Sequence, residues 1–145
     1  MITDKGVSQL PQLKRLDLSD NRVVTGHCLW DLTQLESLIL VYNVAITATH
    51  LTGVFRTLKY LDLDFNQTPN LGNVVGKMTN LEELSLRYNI VITDNDLVGM
   101  TQLKVLIIPD INWITITGLS ALAPQLTYLD LWDNRRVSDK WLDLF

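Results

Sequence analysis

The chain has 145 residues, 47% hydrophobic and 19% charged, with a formal net charge of −4. That balance suits one globular domain over residues 1–145 and excludes a disordered chain. It also argues against nucleic acid as a partner, because such binders need a basic field to release counterions.

The longest uncharged apolar runs, such as Val105–Pro109, fall far short of the ~18 residues of a membrane span, so no membrane partner is expected. No basic-then-apolar leader opens the sequence. Cys28 is the single cysteine, which rules out an internal disulfide and leads to the expectation of an intracellular, cytoplasmic protein.

In chain order, a partial first repeat (1–12) opens with Ile2-Thr3-Asp4-Lys5-Gly6-Val7. Six segments follow that superpose without gaps: LKRLDLSDN (13–21), LESLILVYN (35–43), LKYLDLDFN (58–66), LEELSLRYN (81–89), LKVLIIPDI (103–111) and LTYLDLWDN (126–134). Each fits L-x-x-L-x-L-x-x-N, except that Ile111 replaces the asparagine of the fifth. The period is 22 or 23 residues, and such a period marks a stack of repeats, each unable to bury its leucine face alone. The second and third leucines lie two apart and so share one face of a strand. The asparagines, buried at repeated turns, are expected to satisfy backbone groups of adjacent coils. The sequon Asn66-Gln67-Thr68 is read as chance, since Asn66 belongs to that inward ladder.

A second element follows each strand at constant register. Thr25, Thr47, Asn70, Thr93, Thr115 and Ser138 are expected to cap short helices, with Asp4, Asp94 and Asp139 favouring the positive helix ends. Leu29, Leu51, Val74, Leu97, Leu119 and Leu142 are expected to turn inward. The last segment, Trp141–Phe145, has no polar cap, and neither has the first. Solenoids need caps, so a fragment or an assembly subunit is expected.

These strand motifs resemble the leucine-rich repeat superfamily over essentially the whole chain. The elements ITDKGV (2–7), ITDNDL (92–97) and VSDKWL (137–142) are similar to the I-T-D-x-G-L element of the cysteine-containing subclass found in F-box proteins. Here asparagine stands in place of that subclass's cysteine, and the repeat is shorter. The resemblance implies an α/β solenoid: a curved, parallel concave sheet of six strands with short helices or 3₁₀ turns on the convex side. It also implies protein binding, with the substrate-recognition part of an F-box-type ubiquitin ligase as an alternative. A structural subunit packed by its uncapped ends or convex side into a larger complex is a further alternative, resting on the missing caps.

Function must sit on positions that the stack leaves free. One outward column reads Asp20, Tyr42, Phe65, Tyr88, Asp110, Asp133, and aromatic residues dominate interface hot spots. Its three rings either contact a partner or stack along the sheet edge and cover the turns. Across the five outward positions of each strand there are ten acids and five bases. That face carries the acidic field, which either steers a basic partner or keeps the sheet soluble. The expected partner is another protein with a basic or aromatic contact segment, meeting Tyr42, Tyr60, Asp62, Asp64, Phe65, Arg87, Tyr88, Tyr128 and Trp132. Ile39 with Val41, and Val105 with Ile107 and Pro109, are expected to form outward apolar patches.

No enzymatic activity, cofactor, catalytic residue or metal site is expected. His27, Cys28 and His50 are the soft ligands available, and zinc needs a fourth. A Cys28–His50 pair, close on the convex side, lacks an orienting group. Asp62 and Asp64 on an open sheet would both stay ionised.

Overall fold

The computed structural model describes residues 2–66, 68, 70–89, 92–110, 113–135 and 137–138. Six parallel strands form one sheet in sequence order: β1 (Arg15–Asp17), β2 (Ser37–Ile39), β3 (Tyr60–Asp62), β4 (Glu83–Ser85), β5 (Val105–Ile107) and β6 (Tyr128–Asp130). The second leucine of every motif pairs in register, Leu16 with Leu38, then Leu61, Leu84, Leu106 and Leu129. Opposite the sheet run α1 (Asp4–Ser8), a 3₁₀ helix (His27–Asp31), α2 (Ala48–Leu51), α3 (Gly72–Val75), α4 (Asp94–Leu97) and α5 (Ile116–Ser120). Among the described residues, no helix is long and apolar enough to cross a membrane.

The leucine rows meet in one core. Leu38, Leu61, Leu84 and Leu106 are at most 1% exposed, whereas Leu16 and Leu129, on the outermost strands, are only partly buried. This gradient is the signature of nearest-neighbour burial, in which each coil is covered by the next.

Each strand is three residues long because the chain turns immediately after the third leucine. The amides of Asn21, Asn43, Asn66, Asn89 and Asn134 donate back to Leu18, Leu40, Leu63, Leu86 and Leu131, closing turns at 2.9–3.1 Å. The residue before each asparagine sits in the left-handed region, with φ of 54° at Asp20, 55° at Tyr42, 59° at Phe65, 58° at Tyr88, 60° at Asp110 and 55° at Asp133.

The asparagine side chains join coil to coil as expected. Asn43 Nδ2 donates to Leu18 O at 2.9 Å, while its Oδ1 accepts from the amides of Ala45 and Ile46, each at 3.1 Å. Asn66 reaches Leu40 O in the same way, and Asn89 reaches Leu63 O at 2.7 Å. The expected break at Ile111 lies outside the described residues, as do Gln67 of the sequon and the segment from Asp139 to Phe145, with Leu142 and Trp141.

On the convex side, Thr3, Thr47, Thr93 and Thr115 cap α1, α2, α4 and α5. Two expected caps differ. Thr25 does not cap the 3₁₀ helix; Gly26 precedes it with φ 104°, where a Cβ would lie 2.8 Å from the His50 ring. Asn70 turns left-handed at φ 59°, which delays α3 by one residue. Val75 therefore faces the core at 0% exposed, and Val74 is only partly buried.

The acidic residues of the I-T-D element lie in the first helical turn as expected, Asp4 in α1 and Asp94 in α4, and they also bond to the next coil. From there Asp4 reaches one coil on, accepting from Thr25 N at 2.8 Å, Thr25 Oγ1 at 3.1 Å, Gly26 N at 3.0 Å and Cys28 N at 3.2 Å. Asp94 repeats this on Thr115, with bonds of 2.7 and 2.6 Å from its amide and hydroxyl. Burial alone would raise the Asp4 carboxyl, but the bonds from Thr25, Cys28 and Gly26 outweigh it and hold Asp4 well below the usual carboxylate range.

Replacing Asn43 with alanine orphans the amides of Ala45 and Ile46 and removes one of the two donors to the Leu18 carbonyl. We expect a loss of about 2–4 kcal/mol, measurable by urea unfolding. The exposed Asn80→Ala change should cost less than about 1 kcal/mol.

Candidate functional site

Because the turn residues share one backbone conformation and the strands pair in strict register, their side chains leave the sheet in parallel. Tyr42, Phe65 and Tyr88 consequently stack face to face, with ring centroids 4.4 and 4.5 Å apart and interplanar angles of 17° and 21°. Phe65, with a ring on either side, is partly buried, whereas Tyr42 and Tyr88 remain 50% and 48% exposed. Tyr128 and Trp132, at 53% and 68%, are exposed further along the sheet and make no ring contact with the stack.

Beside the stack lies a polar centre. Asp64, 9% exposed, accepts from Ser85 Oγ at 2.6 Å and from Arg87 N at 2.8 Å. The Arg87 guanidinium stands 3.5 Å from Asp64 and 2.9 Å from Asp130. In sheet order this side chain spans from β4 across β5 to β6. Val105 and Ile107 are half-buried and Pro109 is buried, and Ile39 and Val41 are also half-buried, so the expected open apolar patches are largely covered.

Nor are the carboxylates in free water. Asp64 is tied to Ser85 and Arg87, and burial pushes the Asp62 carboxyl up against the opposing bond from Asp64 N. Tyr60, half-buried alongside, has its phenol raised by burial and then by Asp62. Asp17, Asp62 and Asp130 also hold the backbone amides two residues on, at 2.9, 2.9 and 3.1 Å. In β5 the corresponding residue is Ile107, which cannot accept, and two residues on stands Pro109, which has no amide to satisfy.

One edge of the concave face is a ladder of ion pairs: Lys14–Glu36 at 3.2 Å, Glu36–Lys59 at 2.9 Å and Glu82–Lys104 at 2.6 Å. The Lys59 and Lys14 ammoniums hold the Glu36 carboxyl below its ordinary value. These exposed pairs contribute little stability. Next to them is a shallow depression of about 540 Å³ lined by residues including Arg15, Ile39, Tyr60 and Glu83.

The convex side holds an unexpected ring cluster. His27 lies 5.5 Å from Trp30 and 4.9 Å from His50, centroid to centroid. Cys28 is not paired with His50; it is buried in the core, and burial, with Asp4 adding to it, pushes its thiol up to about 12. His50 Nδ1 accepts the Thr47 amide at 3.1 Å, so Nε2 carries the proton and has no lone pair for a metal. No group of three or more His, Cys, Asp or Glu is placed to hold a metal ion among the described residues.

This stacked parallel sheet, with its asparagine-joined coils, has counterparts among known proteins. A family model described as Leucine Rich Repeat matches residues 12–35. The chain is also similar to internalin C2 from Listeria monocytogenes, at TM-score 0.68 and 28% identity, over 96% of this chain and 70% of that one. The fold is a leucine-rich repeat solenoid. No curated protein matches the chain in sequence. Leucine-rich repeat folds are typically protein-interaction modules rather than catalysts.

Burial and then the charge of His27 depress His50 below its ordinary value. Above the unfolded-state value of about 6.5 the neutral ring caps α2 at no cost. As pH falls through 6.5 toward the folded value, the unfolded chain binds the proton more readily and stability drops. The thermal midpoint should therefore fall between pH 7 and 5. His50→Gln, which keeps a Thr-x-x-Gln capping box, should flatten that slope without lowering the midpoint at pH 7.5.

Proposed function

We propose that the protein is an interaction module that takes a protein partner on its concave face, centred on Tyr42, Tyr60, Phe65 and Tyr88 and extending to Tyr128 and Trp132. Asp62, Asp64 and Arg87 form the polar floor beside the rings, and Arg87 is the floor residue with most freedom to meet the partner. The intracellular setting expected from the lone cysteine belongs to this reading.

The observation that carries it is the backbone beneath the rings. The left-handed region at this turn position favours glycine or asparagine, and a bulky residue there costs about 1 kcal/mol or more. Three aromatics accept that cost side by side. Mutual stacking returns about 0.5–1.5 kcal/mol per pair, which offsets the strain but leaves the outer faces of Tyr42 and Tyr88 in solvent. Residues kept against local preference and left half exposed are better explained by a contact role than by stability. No observation on the surface favours the ubiquitin-ligase alternative.

A second reading has one observation behind it. The side of the first coil away from β2 is an apolar groove of about 440 Å³ lined by residues including Ile2, Val7, Leu10, Leu13 and Leu16. An assembly subunit would cover it.

The test is affinity capture with the double variant Tyr42→Gly and Tyr88→Gly. Because glycine relaxes the turns, its stability should stay within about 1 kcal/mol of wild type. Proteins held by wild type and by the convex control Val98→Ser should be lost. If the folded double variant retains them at wild-type levels, the concave-face assignment is wrong.

A further inference from the structure

The ring stack ends abruptly at both sides, and the same kind of residue stands at each end. In the column that carries Tyr42, Phe65 and Tyr88, the position before Tyr42 is Asp20 and the one after Tyr88 is Asp110. Both have the left-handed backbone of the rings, with φ of 54° and 60°, so their side chains leave the sheet in the same direction. Ring centroids 4.4 and 4.5 Å apart match the ~4.8 Å strand spacing, so one column step is about one aromatic thickness. A carboxylate is shorter than a ring. Above Asp20 and above Asp110 the next place in the stack is therefore open, walled on one side by a tyrosine face and floored by a carboxylate.

The carboxylates themselves are distinctive. Asp17, Asp62, Asp64 and Asp130 are engaged by amides, Ser85 or Arg87, and Asp133, in the same column, pairs with Arg135 at 3.4 Å. Asp20 and Asp110 have no side-chain hydrogen bond or ion pair among the described residues. The outer faces of Tyr42 and Tyr88 are likewise without a ring partner, consistent with their 50% and 48% exposure.

We propose that these two places are slots for guanidinium groups: a partner's arginine stacks on Tyr42 against Asp20, and a second stacks on Tyr88 against Asp110. The guanidinium is planar, so it continues the stack as another layer. Its N–H groups point outward in its own plane, toward a carboxylate at the same level. A lysine ammonium is a point charge that gains the Coulomb attraction but cannot fill the layer. The acidic concave field draws such a segment in. The slots are four column steps apart, roughly 19 Å at the strand spacing, which an extended chain covers in about six residues. This inference rests on the concave face being the partner site and specifies the chemistry of what binds there.

The probe is a seven-residue acetylated and amidated peptide with arginine at its first and last positions and glycine and serine between. Matched peptides carry lysine or the neutral isostere citrulline. Binding is followed by NMR titration of the intact chain at low salt. The arginine peptide should shift the ring signals of Tyr42 and Tyr88 more than that of Phe65, with its own δ-methylene protons moving upfield. The lysine peptide should bind more weakly and the citrulline peptide not measurably. Asp20→Asn and Asp110→Asn should each weaken the arginine peptide about two- to five-fold, and each should abolish the shift at its own end only. Equal binding of arginine and citrulline peptides, or unchanged affinity in both asparagine variants, would overturn the slots. If the slots fail while the glycine variants still lose their partner, the concave-face reading stands without them. If the slots hold while those variants keep the partner, the concave-face reading is the one that fails.

Discussion

The carbonyl oxygen of the third leucine in each motif is the point on which the architecture depends. It lies where the chain leaves the sheet and turns inward, away from water, and no strand neighbour offers it an amide. It accepts the turn amide of its own coil's asparagine, as Leu18 does from Asn21, and its second donor is the asparagine side chain one coil later, as from Asn43 to Leu18 or Asn89 to Leu63. Each such side-chain bond contributes about 0.5–1.5 kcal/mol, and the buried asparagines Asn43, Asn66 and Asn89 of successive coils present their amides at the same place. The turn is the same in all six motifs, with a left-handed residue before each asparagine and, at Asp110, before Ile111 as well. The doubly bonded carbonyl thus ties each turn to the coil that follows, and the repeated turn sets the direction of a whole column of side chains.

The convex side is under no such uniform demand, and it solves the same problem in several ways. Where the local sequence is I-T-D, as at Asp4 and Asp94, a carboxylate clamps the amides of the following coil. Where His50 or Asp96 stands three residues after the threonine, it closes a capping box within its own coil. Neither device extends through every repeat. The convex surface therefore varies in helix type and start, while the concave surface keeps a strict lattice. Regularity on one face and variation on the other make the concave face the one that can present evenly spaced side chains.

The part of the fold legible in the sequence is the part each repeat settles within itself. Leucine spacing, asparagine register and the caps at Thr47, Thr93 and Thr115 depend on residues a few positions apart. What was not legible depends on the coil next door or the one beyond. Asp4 and Asp94 serve the following coil, Gly26 is required by the ring of His50, and Arg87 reaches across β5 to Asp130. The outward run Val105, Ile107 and Pro109 is half-buried to buried rather than open, and the Asp64 bonds to Ser85 and Arg87 convert an apparently open carboxylate into a fixed one. The aromatic column was visible as a pattern. Its left-handed backbone was not, because the resemblance of Tyr42, Phe65 and Tyr88 to ordinary strand residues gives no sign of positive φ.

That backbone is what separates scaffold from site. Leu61 or Asn43 is where local geometry, burial and hydrogen bonding all agree, and such agreement says nothing about function. At the ring positions they disagree: the turn prefers glycine or asparagine, solvent prefers a polar side chain, and the chain supplies tyrosine or phenylalanine. The flanking aspartates show that a short polar residue is acceptable in the same turn, at nearly the same φ, so the rings are not imposed by the fold. Stacking explains why three of them together are tolerated, because each ring added to a neighbour recovers part of the strain. It does not explain why the stack stops with two open faces beside two unpaired carboxylates. A surface optimised for stability alone would end the stack with a ring covered by an aliphatic side chain, or would not begin it. Open aromatic faces adjoining free negative charge are matched by a planar cation that the chain itself does not provide.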